Sequence, residues 1–119
     1  MAAPSVTKVF KILPASDFNT WKSSGTFSGA GIDIGDGFIH LSTASQSGET
    51  YKKWFSGQSG LVVAEVDLEK VEDTVKWEPS RGGDLFAHVY GKIPYSAVTR
   101  SFEDVNVKLF EQLEAEERS

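Results

Sequence analysis

Asp36-Gly37-Phe38-Ile39-His40-Leu41-Ser42-Thr43 is the stretch that decides how this chain folds. Asp-Gly predicts a turn, and the residues after it alternate as a half-buried strand does. On a pleated strand Ile39 and Leu41 point one way, and Phe38, His40 and Ser42 the other. Thr43-Ala44-Ser45-Gln46 then has the spacing of a capping box, a hydroxyl followed three residues on by glutamine. The strand is therefore expected to pass straight into a helix whose free N–H groups lie beside His40 and Ser42. A helix start combines unpaired donors with a partial positive charge and so suits an anion.

Working outward from that stretch, an apolar run at 8–13 predicts a first strand, ended by Pro14. Ser16 or Asp17 is placed to cap a short helix carrying Phe18 and Trp21, stopped near Gly25. Residues 25–37 are rich in Gly, Ser and Asp and predict one long loop walling the His40 strand. The helix after Thr43 is expected to reach about Phe55, with Ala44, Tyr51, Trp54 and Phe55 as its apolar stripe. Leu61 to Leu68 reads as a central strand, with Val62, Ala64, Val66 and Leu68 on one face and Leu61, Val63, Glu65 and Asp67 on the other. Shorter strands follow at 73–79, at an edge, and at 85–90, where Phe86, His88 and Tyr90 share a face; a last strand covers 97–102. An acidic amphipathic helix or tail with Val105, Leu109, Phe110 and Leu113 as anchors closes the chain.

The length of 119 residues suits one domain, organised as a leader over 1–7, a domain over 8–104 and the acidic segment over 105–119. The fold class expected is compact α+β, a mixed and mostly antiparallel split sheet with two or three helices. Cysteine is absent, which excludes a thiol nucleophile, disulfides and thiolate zinc sites. Twelve basic residues against seventeen acidic give −5, so bulk charge does not favour nucleic acid. With no apolar run of membrane-spanning length and no signal-like start, a cytoplasmic, non-membrane protein is expected, as monomer or weak homodimer.

Both histidines fall on strands beside aromatics. Half-buried histidines with satisfied hydrogen bonds are the plain alternative to a site. Three features favour a site: His40 abuts a helix start, Arg81 and Asp84 sit in a Gly-Gly loop before the His88 strand, and Glu65 is placed to orient an imidazole. Histidine moves protons near neutral pH, and a carboxylate fixes its tautomer. His40, His88 and Glu65 are the catalytic candidates, with Ser42, Thr43, Ser45, Gln46, Arg81 and Tyr90 as ligand-binding candidates. A metal set of the two histidines with Glu65, Asp67 or Asp84 lacks ligand spacing, so no metal site is assigned.

Val9-Phe10-Lys11-Ile12-Leu13, the Asp36-to-Gln46 run and Phe86-Ala87-His88-Val89-Tyr90-Gly91 together resemble the family numbered nine hundred and fifty-two among domains of unknown function. The resemblance covers about residues 8–104 and places His40, Ser42, Glu78, Arg81, His88 and Tyr90 on motif positions, adding Glu78 to the ligand-binding set. The third motif commonly has proline where Ala87 stands and leucine where Val89 stands. A more distant similarity links the His-Leu-Ser element to RNA 2′-phosphotransferases of the ADP-ribosyltransferase-like fold, with Lys11 where an Arg or His is expected. That similarity implies a transferase acting on or binding NAD, a nucleotide or another phosphate-bearing ligand around His40 and His88. The alternative is a non-catalytic module for a phosphate-bearing ligand or a protein.

Overall fold

The structure, a computed structural model, describes residues 4–80 and 82–119. Arg81, a ligand-binding candidate, lies outside the described residues. Strand β1 (Lys8–Pro14), helix α1 (Ala15–Ser24), β2 (Thr26–Phe27), α2 (Ile32–Asp36), β3 (Ile39–Leu41) and α3 (Ala44–Trp54) make the first half. Then come β4 (Leu61–Asp67), β5 (Val75–Pro79), β6 (Leu85–Val89), β7 (Ile93–Pro94), β8 (Val98–Phe102) and α4 (Val107–Arg118). All pairings are antiparallel, in three sets: β1-β4-β8, β2-β7 and β3-β6-β5. This is a mixed α+β fold.

Strand β4 is central in its sheet and buries both faces, as its apolar run demands. Val62, Ala64 and Val66 join Val9, Leu13, Trp21, Ile39, Leu41 and Val89 in the larger core. Leu61 and Val63 join Phe10, Ile12, Phe110 and Leu113 in a second core beneath α3 and α4. The two three-stranded sheets are stitched by one bridge, in which Phe10 and Ser42 exchange N–H···O bonds of 2.7 and 2.9 Å. That bridge brings β1, with Lys11, alongside β3, with His40.

Local chemistry explains most boundaries. Gly25 stops α1 in the left-handed region, its N–H donating to Trp21 at 2.9 Å. Thr43 caps α3 with the full reciprocal box: its hydroxyl accepts from the Gln46 N–H at 3.2 Å, and Gln46 Oε1 accepts from the Thr43 N–H at 3.0 Å. Asn106 caps α4 by accepting from the Leu109 N–H at 3.1 Å.

Three expectations need correction. Helix α1 starts directly after Pro14 with no side-chain cap, so neither Ser16 nor Asp17 serves as one; proline's fixed extended backbone delivers the chain into the helix. The expected loop over 25–37 holds β2 and the single-turn-plus helix α2, stopped by Gly37 with φ 81°. Its Ile32-Asp33-Ile34 run is inside out by hydropathy: the isoleucines are 60% and 73% exposed, while Asp33 is 2% exposed. Trp54 is also 64% exposed, outside the stripe assigned to it.

Candidate functional site

In the β3-β6-β5 sheet, Ile39, Leu41, Ala87 and Val89 face the core, so the alternate residues face outward. His40 stands directly opposite His88, and Lys76 directly opposite His88 on the other side. The two imidazole centroids are 5.2 Å apart at 70°. Phe38 packs on both, stacking on His88 at 4.2 Å and touching His40 at 4.7 Å. Tyr90 extends this aromatic wall at 5.1 Å from Phe38, and the Lys76 ammonium lies 5.0 Å from the Tyr90 ring centre.

Each imidazole is held by a carboxylate. His40 Nδ1 lies 2.6 Å from Asp33 Oδ1, and the His40 backbone N–H donates to the same oxygen at 3.0 Å. The second Asp33 oxygen accepts from the Ala30 N–H at 3.0 Å and from Lys11 Nζ at 2.7 Å. Lys11 also donates to the His40 carbonyl at 3.0 Å. Burial opposes the Asp33 charge, but the His40 hydrogen bond and the Lys11 ammonium outweigh it and hold the carboxyl at about 2. Burial likewise pushes Lys11 below its usual range, partly offset by Asp33. The outer nitrogen of His40, Nε2, faces the exposed Asp36 carboxylate at 3.0 Å. His88 Nδ1 lies 2.7 Å from Glu78 Oε1, which also accepts from the Tyr90 hydroxyl at 2.7 Å. The Tyr90 and His88 hydrogen bonds lower the Glu78 pKa, and Glu78 in turn raises that of Tyr90.

The structure thus brings together His40, His88, Glu78 and Tyr90 from the sequence candidates. It does not bring Glu65 to either imidazole. Glu65 lies in the other sheet, accepting from Thr99 Oγ1 at 2.6 Å and from Arg100 at 3.1 and 2.6 Å. Its cross-strand neighbour is Arg100, which takes the carboxylate for itself and, through Nη2, binds Glu116 as well at 2.8 Å. The orienting role falls to Asp33 and Glu78.

Ser42 is buried by its bridge to Phe10 and shares a 3.1 Å hydrogen bond with Thr50, so it does not open beside His40. The helix start also differs from expectation. Its donors are filled from within the chain: the Ala44 and Ser45 N–H groups donate to the Glu117 carboxylate at 2.9 and 3.3 Å, and the Gln46 N–H to Thr43. Ser45 Oγ meets Thr43 Oγ1 at 3.2 Å, and Gln46 Nε2 donates to the Leu85 carbonyl at 2.7 Å. Thr43, Ser45 and Gln46 therefore build the turn, and no N–H of Ala44 to Gln46 is left for an external anion.

Sequence reasoning missed Asp33, Asp36 and the buried role of Lys11. The available signal was a pair of acidic residues, Asp33 and Asp36, set among the glycines of 29–37 just before the histidine strand. Two clefts, of about 380 and 410 Å³, lie along α3–α4 and between the Ser5–Lys8 segment and α4; neither is lined by His40 or His88. Among the described residues no group of three His, Cys, Asp or Glu side chains is arranged to hold a metal ion. No helix of the described residues is long and apolar enough to cross a membrane.

The model of the family described as "Protein of unknown function (DUF952)" matches residues 12–101. The crystal structure of protein CC0527 from Caulobacter crescentus is similar with 40% identity and a TM-score of 0.83, over 91% of this chain and 99% of that one. The solution structure of the same bacterial protein gives 41% identity and a TM-score of 0.73, over 85% and 88%. Among curated proteins there is no match.

Proposed function

This chain belongs to the DUF952 family, and we propose that its outer sheet face binds a phosphate-bearing small molecule, a nucleotide or NAD-related compound, and moves protons to or from it. One observation carries the reading: two imidazoles 5.2 Å apart, each with Nδ1 on a carboxylate. A carboxylate at Nδ1 fixes the proton there and leaves Nε2 as the working nitrogen. Two such groups side by side form an acid–base pair for transfer or cleavage at a phosphate ester or ribose hydroxyl. The carboxylate of Asp36 at His40 Nε2 occupies the position that an anionic oxygen of the ligand takes, and its exposure lets it give way. Phe38 and Tyr90 supply apolar surface beside the charges.

The ADP-ribosyltransferase-like reading draws support from the order of elements, β1 and α1, then the short β2 and α2, the His40 strand, α3 and further antiparallel strands. A non-catalytic binding module is the second reading, favoured by the position of the histidines on an open sheet face outside both clefts. The test is turnover of NAD, nucleotides and 2′-phosphorylated RNA by the wild-type chain, His40→Ala and His88→Ala. Product that disappears with either substitution supports the transferase; ligand binding without product supports the module. Neither binding nor product across the panel rejects both.

A further inference from the structure

His40, His88 and Lys76 stand in one register row across three adjacent strands, all on the outward face. Strands lie about 4.8 Å apart, so the row extends about 10 Å between its outer backbones, too wide for one phosphate group to bridge. The three positions are not electrostatically alike. His40 and His88 each have a carboxylate on Nδ1, which neutralises much of the charge an imidazolium brings. Among the described residues no ion pair ties down the Lys76 ammonium. It rests on the Tyr90 ring, and Glu78, two residues along the same strand, is already bound to His88 and Tyr90. Among the described residues, the ammonium of this face that stands outside any ion pair therefore sits one strand beyond the imidazole pair.

Resting on the reading of the histidine face as a phosphate site, we infer that its ligand is a phosphoanhydride: one phosphate at His40 and His88 and a second, linked phosphate at Lys76. Lys76 is then a specificity residue that separates diphosphate ligands from monophosphates. An ammonium reaching a second phosphate forms a charge-assisted hydrogen bond that a monophosphate ligand cannot use.

The probes are inorganic phosphate and pyrophosphate, titrated into the full chain at one pH and ionic strength, with histidine ring NMR signals and calorimetry as readouts. Wild type should bind pyrophosphate more tightly. Lys76→Gln, at an exposed position that leaves the fold intact, should weaken pyrophosphate about tenfold, the worth of one charge-assisted hydrogen bond, and change phosphate less than about twofold. Lys52→Gln, on the exposed side of α3, controls for bulk charge and should alter neither. Equal weakening of both probes by Lys76→Gln, or no weakening, overturns the assignment of Lys76 while the histidine site stands. Failure of both probes to move either histidine ring signal overturns the phosphate site itself.

Discussion

Lys11 Nζ and Asp33 Oδ2 lie 2.7 Å apart, with side-chain exposures of 9% and 1%. An ion pair this far from water is held by its hydrogen bonds to the surrounding backbone, and one of these, from Lys11, goes to the carbonyl of His40. The pair is thus the floor on which the His40 ring is oriented.

Asp33 makes stability depend on acid pH. Its folded pKa of about 2 lies below its ordinary value of 3.8, so the folded chain takes up this proton less readily than the unfolded one. The contribution is complete above 3.8 and is lost as pH falls through about 2; it is on the order of 2 kcal/mol. Asp33→Asn should cost about 3–5 kcal/mol at neutral pH, because Lys11 is left buried without a counter-charge. Denaturant titrations of both chains from neutral to strongly acid pH should show the gap narrowing. A gap that stays constant would mean that Asp33 is not ionised in the fold.

His40→Ala should cost about 1–2 kcal/mol, since Asp33 keeps its bonds to Lys11, Ala30 and the backbone of residue 40 and loses only the imidazole. Ile39→Ala, one residue earlier and fully buried, should cost roughly 2–5 kcal/mol. Urea denaturation of the two variants checks the order, and the reverse order would place the strand the other way round.

Gly29→Ala should loosen the His40 site from outside it. A Cβ there would come within 2.9 Å of the Asp33 Cβ, on a backbone with φ of 121° that side chains rarely adopt. Strain of about 1–3 kcal/mol is expected, and a displaced Asp33 alters its bond to His40. The histidine Nδ1–H resonance in NMR reports this: it should move in Gly29→Ala and not in Gly82→Ala, where a Cβ meets nothing.

Glu117→Gln should cost about 0.5–2 kcal/mol, the range of a lost helix cap. The loss should shrink with added salt, as interactions of a carboxylate with a helix start do. Thermal melts at low and high ionic strength test this, and salt-independent melting temperatures would contradict it.

What was legible in the sequence was local. The Asp-Gly turn, the alternation through Ile39-His40-Leu41, the Thr43–Gln46 box and the Gly25 stop are each written within four or five residues, and each is in place. The two-faced burial of β4 was also readable, because apolar residues occupy both phases of its alternation. The helix α2 was not, since five residues among glycines carry no period, and its isoleucines point outward around a buried aspartate. Glu65 reads as free to orient an imidazole because its partner, Arg100, is 35 residues on, and only the pairing of β4 with β8 reveals it. The helix start reads as open for the same reason: its acceptor, Glu117, lies 73 residues on, in the acidic segment that reads as an amphipathic helix or tail.

The bond from the Ala44 N–H to Glu117 spans 73 residues, and a loop that long closes only when α4 is seated. The first amides of α3 are therefore a gauge of the opposite end of the chain. Their exchange with deuterated solvent will follow the lifting of α4 rather than the fraying of α3, so two backbone protons beside the histidine strand register the release of the C-terminal helix.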